Sequence, residues 1–163
     1  MEPDGFEGIP EADLAFAASV FVARPPEVLY AMVSDITRMG QWSPVCRACS
    51  WESEARGVGA WFVGRNELPE RTWETRSQIV ADEPGREFAW AVYGDRARWG
   101  YASRPVEGGT EVTESWQFLP GGKVSFRERY GEDARREVAA RVSAARTGIP
   151  ATLAAIKRAA EAG

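Results

Sequence analysis

From Cys46 to Leu119 the chain alternates apolar and polar residues with a period of two, broken only by short turn-like segments. Successive side chains of an extended strand point to opposite faces, so this pattern fixes both the element and the face each residue occupies. Strands are expected at 46–54, 58–67, 71–82, 86–93, 97–106 and 109–119. Their separators are Arg56-Gly57, Leu68-Pro69-Glu70, Glu83-Pro84-Gly85, Gly94-Asp95 and Gly108-Gly109. A parallel crossover needs about a dozen residues or more, so connections this short make successive strands antiparallel.

The alternation also sorts the faces. Trp73, Thr75, Ser77 and Ile79 share one face, as do Phe88, Trp90 and Val92, then Trp99, Tyr101 and Ser103, then Val112, Glu114, Trp116 and Phe118. The sister positions Glu74, Arg76, Gln78, Arg98, Arg104, Glu111, Thr113 and Gln117 are polar. One aromatic and one solvated face describe a sheet curving over a core or cavity. In the 58–67 strand the pattern leaves open which set faces inward: Phe62, Gly64 and Asn66, or Trp61, Val63 and Arg65.

The flanking segments complete a single domain over 13–163, preceded by a flexible leader at 1–12. Leu14 to Val22 is a first strand. Pro25-Pro26 opens a helix, where proline is tolerated in the first turn, and Asp35 caps a second short helix ending near Gly40. After the last strand, Gly121-Gly122 and the mixed charges Arg127, Glu128, Arg129, Glu132 and Asp133 describe a solvated loop over 120–133. Residues 134–162 are helical, with Val138, Val142, Ala145, Ile149, Leu153, Ile156 and Ala160 on one stripe. A kink or short break is expected at Gly148-Ile149-Pro150.

Composition narrows the chemistry. The sequence has no histidine, which removes the commonest general base and metal ligand. Ser-His-Asp and Cys-His catalysis within the chain are excluded. Two cysteines, Cys46 and Cys49, are too few for a four-ligand zinc site. Their C-x-x-C spacing invites a redox reading, but an extended backbone points the two side chains to opposite faces, which argues against it. Neither a metal nor a cofactor is expected. A net charge of −4 argues against nucleic acid or an anionic membrane as partner. No apolar run approaches the roughly 20 residues of a membrane span. The acidic start lacks the basic-then-apolar pattern of a secretory signal, so a cytoplasmic location is expected. Seven tryptophans supply large flat apolar surfaces for a core or a ligand.

The order of one strand, two short helices, six strands and a long helix resembles the helix-grip fold. Ser34-Asp35-Ile36-Thr37-Arg38-Met39-Gly40-Gln41-Trp42-Ser43-Pro44 resembles the helix-turn segment of bacterial polyketide cyclase/dehydrase and lipid-transport proteins of the START / Bet v 1-like superfamily. Gly57-Val58-Gly59-Ala60, Gly64-Arg65-Asn66, Arg96-Ala97-Arg98-Trp99-Gly100-Tyr101, Gly109-Thr110-Glu111-Val112-Thr113-Glu114-Ser115-Trp116 and Ile149-Pro150-Ala151-Thr152-Leu153 are also similar to that family. The resemblance covers about residues 14–162. It implies an α+β helix-grip fold, in which a curved antiparallel sheet of about seven strands wraps around the C-terminal helix and encloses a cavity.

Mapped through the resemblance, the cavity wall comprises Phe62, Asn66, Trp73, Thr75, Trp90, Trp99, Tyr101, Glu114, Trp116 and Phe118, with Ile149, Leu153 and Ile156 from the helix. The resemblance thus places Phe62, Gly64 and Asn66 inside. Glu114 stands out. Desolvation raises the pKa of a carboxylate among apolar walls, which suits it to proton transfer or to a ligand hydroxyl. The competing readings are an ion pair with an arginine and a place near the mouth. Asn66, Thr75, Ser77 and Tyr101 orient a ligand or serve as satisfied structural groups.

The expected function is therefore binding of an apolar, polycyclic or polyketide-like small molecule by a monomer or homodimer. A cyclase or aromatase with Glu114 or Tyr101 moving protons is the alternative. Protection against a toxic product is a third, and a protein-interaction module, which predicts a filled interior and an exposed apolar patch, a fourth.

Overall fold

Apolar-in, polar-out alternation needs a backbone that presents one face to the core, and the chain forms it as one seven-stranded antiparallel sheet. The computed structural model describes residues 5–163. The strands are β1 (Ala15–Val22), β2 (Cys46–Trp51), β3 (Trp61–Leu68), β4 (Arg71–Glu83), β5 (Glu87–Val92), β6 (Ala97–Val106) and β7 (Gly109–Phe118). Their order across the sheet is β1-β7-β6-β5-β4-β3-β2. Strands β2 to β7 form the meander that their short connections dictate, while β1 pairs with β7, Ala18 opposite Glu114 and Phe16 opposite Trp116.

The chain must therefore cross from one edge of the sheet to the other between β1 and β2. Helix α1 (Pro26–Val33) and a 3-10 helix (Ile36–Gln41) make that crossing. Helix α1 starts at Pro26 and buries Leu29, Met32 and Val33. Asp35 caps the 3-10 helix, its side chain accepting from the Thr37 backbone N–H. Helix α1 packs over β5 to β7 and the 3-10 helix over β2. The Tyr30 hydroxyl ties α1 to the far end of β4 by donating to Asp82.

The C-terminal helix α3 (Ala134–Ala162) lies against β1 and β7 and buries Val138, Ala145, Ile149, Thr152, Leu153, Ile156 and Ala160. It runs without the break expected at Gly148-Ile149-Pro150. Pro150 is exposed, and what the ring removes is one donor toward the turn before it. The stripe on either side buries enough apolar surface to hold the helix through that loss. None of the helices among the described residues is long and apolar enough to cross a membrane.

Two segments depart from the sequence reading. The segment 120–133 is not a loop: helix α2 (Pro120–Tyr130) fills most of it, followed by a 3-10 turn at Gly131–Asp133. Pro120 occupies its first turn. The Phe126 ring meets Phe118 edge-on at 5.2 Å and Tyr130 at 5.1 Å. Gly121 and Gly122 do not break the chain here; they let α2 approach the β5–β6 turn, since a Cβ on Gly122 would sit 2.3 Å from the Arg96 carbonyl oxygen.

The leader expected at 1–12 is packed from residue 5 onward; residues 1–4 lie outside the described residues. Phe6 is 1% exposed. Its ring meets Phe118 edge-on at 5.9 Å, and the Arg127 guanidinium covers its other side at 4.7 Å. Ile9 is also buried. Acidity and glycine content hid two large apolar anchors.

Candidate functional site

The inner face of the sheet carries a continuous band of aromatic side chains, placed by the pairing register. Trp90 lies opposite Trp99, Trp99 opposite Trp116, and Phe88 opposite Tyr101. Ring centroids are 5.9 Å apart between Phe62 and Trp90, 6.0 Å between Trp90 and Tyr101, and 6.4 Å between Trp99 and Trp116. Phe62, Gly64 and Asn66 do face inward, with Phe62 and Gly64 buried.

Glu114 sits in this band, directly across the ladder from Tyr101. It is 4% exposed, and its Oε1 has no hydrogen-bond partner. Burial pushes its pKa up to about 8, opposed only by the Tyr101 hydroxyl. The arginine partner that the competing reading supplies is not there: the inter-strand ion pairs Arg98–Glu87 and Arg104–Glu111 lie elsewhere. Tyr101 is equally buried, and its phenol is pushed well above its ordinary pKa, first by burial and then by the neighbouring carboxylate. At neutral pH the pair is therefore a neutral acid facing a neutral phenol, able to donate to a carbonyl or to accept from a hydroxyl placed between them.

The structure brings Phe62, Trp90, Tyr101, Glu114, Trp116 and Phe118 together in the interior, and Ile149, Leu153 and Ile156 are buried on α3. Asn66, Trp73, Thr75 and Trp99 are half-buried and lie on the rim. Asn66 is held by a bond from its Nδ2 to Thr75 Oγ1 at 3.2 Å, so these two polar groups satisfy each other across β3 and β4. Trp73 stacks under the Arg71 guanidinium at 4.2 Å.

Two clefts among the described residues border this band, one including Leu153 and the other Trp116. One, of about 310 Å³, runs between β1 and α3 along Ala18, Val20, Leu153 and Lys157. The other, of about 300 Å³, lies at Phe16, Arg98 and Gln117. Along the inner face of the sheet the aromatic rings meet one another at centroid distances of 5.9 to 6.4 Å, which lines the space between sheet and helix with flat apolar surface.

Sequence reasoning also misplaced Cys46 and Cys49. Both are buried on the inner face, their Sγ atoms 3.0 Å apart. A bulge in β2 between Cys46 and Ala48 adds one residue and turns both side chains the same way. Alternation counts residues, and a bulge is the one event that defeats the count.

Comparison with known proteins agrees with this architecture. The family described as polyketide cyclase / dehydrase and lipid transport matches residues 13–161. A Polyketide_cyc-like protein from Corynebacterium glutamicum, solved by NMR, is 50% identical over 90% of each chain, with a TM-score of 0.67. The Zhui aromatase/cyclase from Streptomyces sp. R1128 shares the fold at 16% identity, covering 90% of this chain and 93% of its own, with a TM-score of 0.66. The di-domain ARO/CYC StfQ of the steffimycin biosynthetic pathway shares it at 18% identity and a TM-score of 0.66, over 93% of this chain and 52% of its own. No curated protein matches the chain. A match over nearly the whole length, a half-identical relative and the helix-grip architecture agree: the chain belongs to the polyketide cyclase/dehydrase and lipid-transport family.

Proposed function

We propose that the chamber between the sheet and α3 binds an apolar, polycyclic or polyketide-like molecule that carries at least one hydroxyl or carbonyl. The observation that carries this reading is Glu114 Oε1, a buried oxygen with no partner in a wall of aromatic rings. Leaving such an atom unpaired costs about 1–3 kcal/mol, and a ligand group bonded to it removes that cost. Flat rings on Trp90, Trp99 and Trp116 offer stacking for a planar ligand.

Titrating fatty acids, sterols, flavonoids and polycyclic polyketides while reading tryptophan fluorescence tests this. Saturable quenching by one class is expected. Glu114→Gln should weaken a hydroxyl-bearing member of that class by about tenfold, the equivalent of one hydrogen bond, and Trp116→Phe should reduce the quenching amplitude. A flat response to every class would sink the reading.

A second reading rests on the same pair. Glu114 and Tyr101 face each other as two neutral acids of different strength, and a confined polyketide chain between them has a proton donor and, once Glu114 ionises, a base. In that case Glu114→Gln lowers turnover of the bound class by 100-fold or so. Full turnover in the variant removes Glu114 from the chemistry and leaves binding alone.

A further inference from the structure

We propose that Cys46 and Cys49 form a peroxide-reactive dithiol site in the inner wall of the domain, cycling between two thiols and an intramolecular disulfide. The site does not depend on whether the chamber holds a ligand.

In a regular strand, residues three apart face opposite ways. Here Cys46 pairs with Asn66 and Cys49 with Gly64, two positions apart on β3 and hence on one face, because the β2 bulge absorbs the extra residue. The bulge thus creates a vicinal dithiol from a spacing that a plain strand would split. Both cysteines are free, with Sγ atoms 3.0 Å apart, about 1 Å beyond the bonded distance of roughly 2.05 Å. Both sulfurs lie over Gly64 of β3: a Cβ there would stand 3.6 Å from each, an ordinary van der Waals contact. Met39 Sδ closes the third side at 3.8 Å from Cys49 Sγ. Both residues are buried, at 7% and 8% exposure, so a small oxidant such as hydrogen peroxide, and not a bulky one, is the reagent the site would take.

The two sulfurs are not equivalent. The hydrogen bond between the sulfurs holds the Cys46 thiol below its ordinary range and, with burial, pushes Cys49 above it. Cys46 is then the attacking thiolate and Cys49 the resolving thiol. The Cys46 thiolate attacks one oxygen of a hydroperoxide; the O–O bond breaks, hydroxide leaves, and Cys46 becomes a sulfenic acid. The Cys49 sulfur, giving up its proton, attacks the Cys46 sulfur; the S–S bond forms and the S–O bond breaks, releasing the second oxygen as hydroxide. The net reaction takes two thiols and one hydrogen peroxide to one disulfide and two waters. Each sulfur loses one electron and each peroxide oxygen gains one. A thiol reductant reverses it by exchange.

Intact-protein mass spectrometry with hydrogen peroxide, followed by dithiothreitol, tests the site. The native chain is expected to lose two hydrogens, to lose alkylation at both cysteines, and to regain both on reduction. Cys49→Ser, which cannot resolve, should trap a sulfenic acid on Cys46 as a single dimedone adduct, while Cys46→Ser should label at least tenfold more slowly. Cys49→Ala serves if the serine variant fails to fold; the native-chain measurement needs neither. Thiols that stay alkylatable, mass gained as oxygen rather than lost as hydrogen, or disulfides only between chains would overturn the proposal. Equal dimedone labelling of the two single variants would overturn the assignment of Cys46 as the attacking sulfur.

Discussion

Gly122→Ala is expected to destabilise the domain by on the order of 4 kcal/mol, read as a drop in the urea or thermal midpoint. The sign is the informative part. In an exposed helix interior, glycine to alanine is favourable by about 1 kcal/mol, because alanine has less backbone freedom to lose. Here the added methyl would stand 2.3 Å from the Arg96 carbonyl oxygen and 2.7 Å from Phe118 Cε1. One neighbour is backbone and the other a buried ring, so neither can swing away. Gly121 is similarly placed, 2.5 Å from the Asp95 carbonyl oxygen. Relief requires α2 to lift from the β5–β6 turn, which also uncouples Phe126 from Phe118 and removes a wall of the aromatic cluster. A neutral or stabilising Gly122→Ala would mean that α2 does not dock on this turn.

These glycines also show where the sequence was legible and where it was not. The strands were readable because a period of two survives any curvature, and the turn residues marked their ends within a few positions. The helix-grip order followed from those elements and from the stripe on α3. Helix α2 was hidden because its apolar contacts are few: Gly122, Phe126 and Tyr130 recur at steps of four, a stripe in which one member has no side chain. Glycines that permit close approach look, in sequence, like glycines that terminate. The packed part of the leader was hidden for a related reason, since only Phe6 and Ile9 anchor it among polar neighbours. The inward placement of Phe62 came from family likeness, because both faces of β3 carry large apolar residues. Cys46 and Cys49 were misread because nothing in the residues near 47 announces a bulge. At Glu114 alternation sufficed to place the carboxylate among the aromatic rings, but the lack of any arginine near it is a property of the packed neighbours that no spacing reveals.

That missing partner makes stability depend on pH in a direction opposite to the usual carboxylate. In the unfolded chain Glu114 ionises near its ordinary value of 4.5, whereas in the fold it stays protonated until about 8. Between these limits the folded state holds a proton that the unfolded state has released, so stability falls as pH rises through the window and is flat above it. At about 1.4 kcal/mol for each unit of pKa difference, the loss is roughly 5 kcal/mol across the window. Other carboxylates act the opposite way: Arg76 holds the exposed Glu52 below its ordinary range, and Lys157 does the same for Glu161. Their contribution grows as pH rises from acid and partly masks the trend. Glu114→Gln separates the two, since the variant keeps every other group and removes only the buried proton site. The expected result is a variant slightly less stable than the native chain at pH 5, where a neutral acid is replaced by an amide with one more donor to satisfy. At pH 9 the variant should be the more stable, because the native chain then carries an ionised carboxylate that only Tyr101 faces. Urea midpoints for both proteins at half-unit steps from pH 4.5 to 9 give the difference directly. Parallel profiles would mean that Glu114 reaches water or a cation in solution, and the unpaired oxygen would then no longer support a ligand in the chamber. Crossing profiles would show a carboxyl group kept neutral by its surroundings at physiological pH, the state in which it can donate a hydrogen bond to a bound carbonyl or accept one from a hydroxyl.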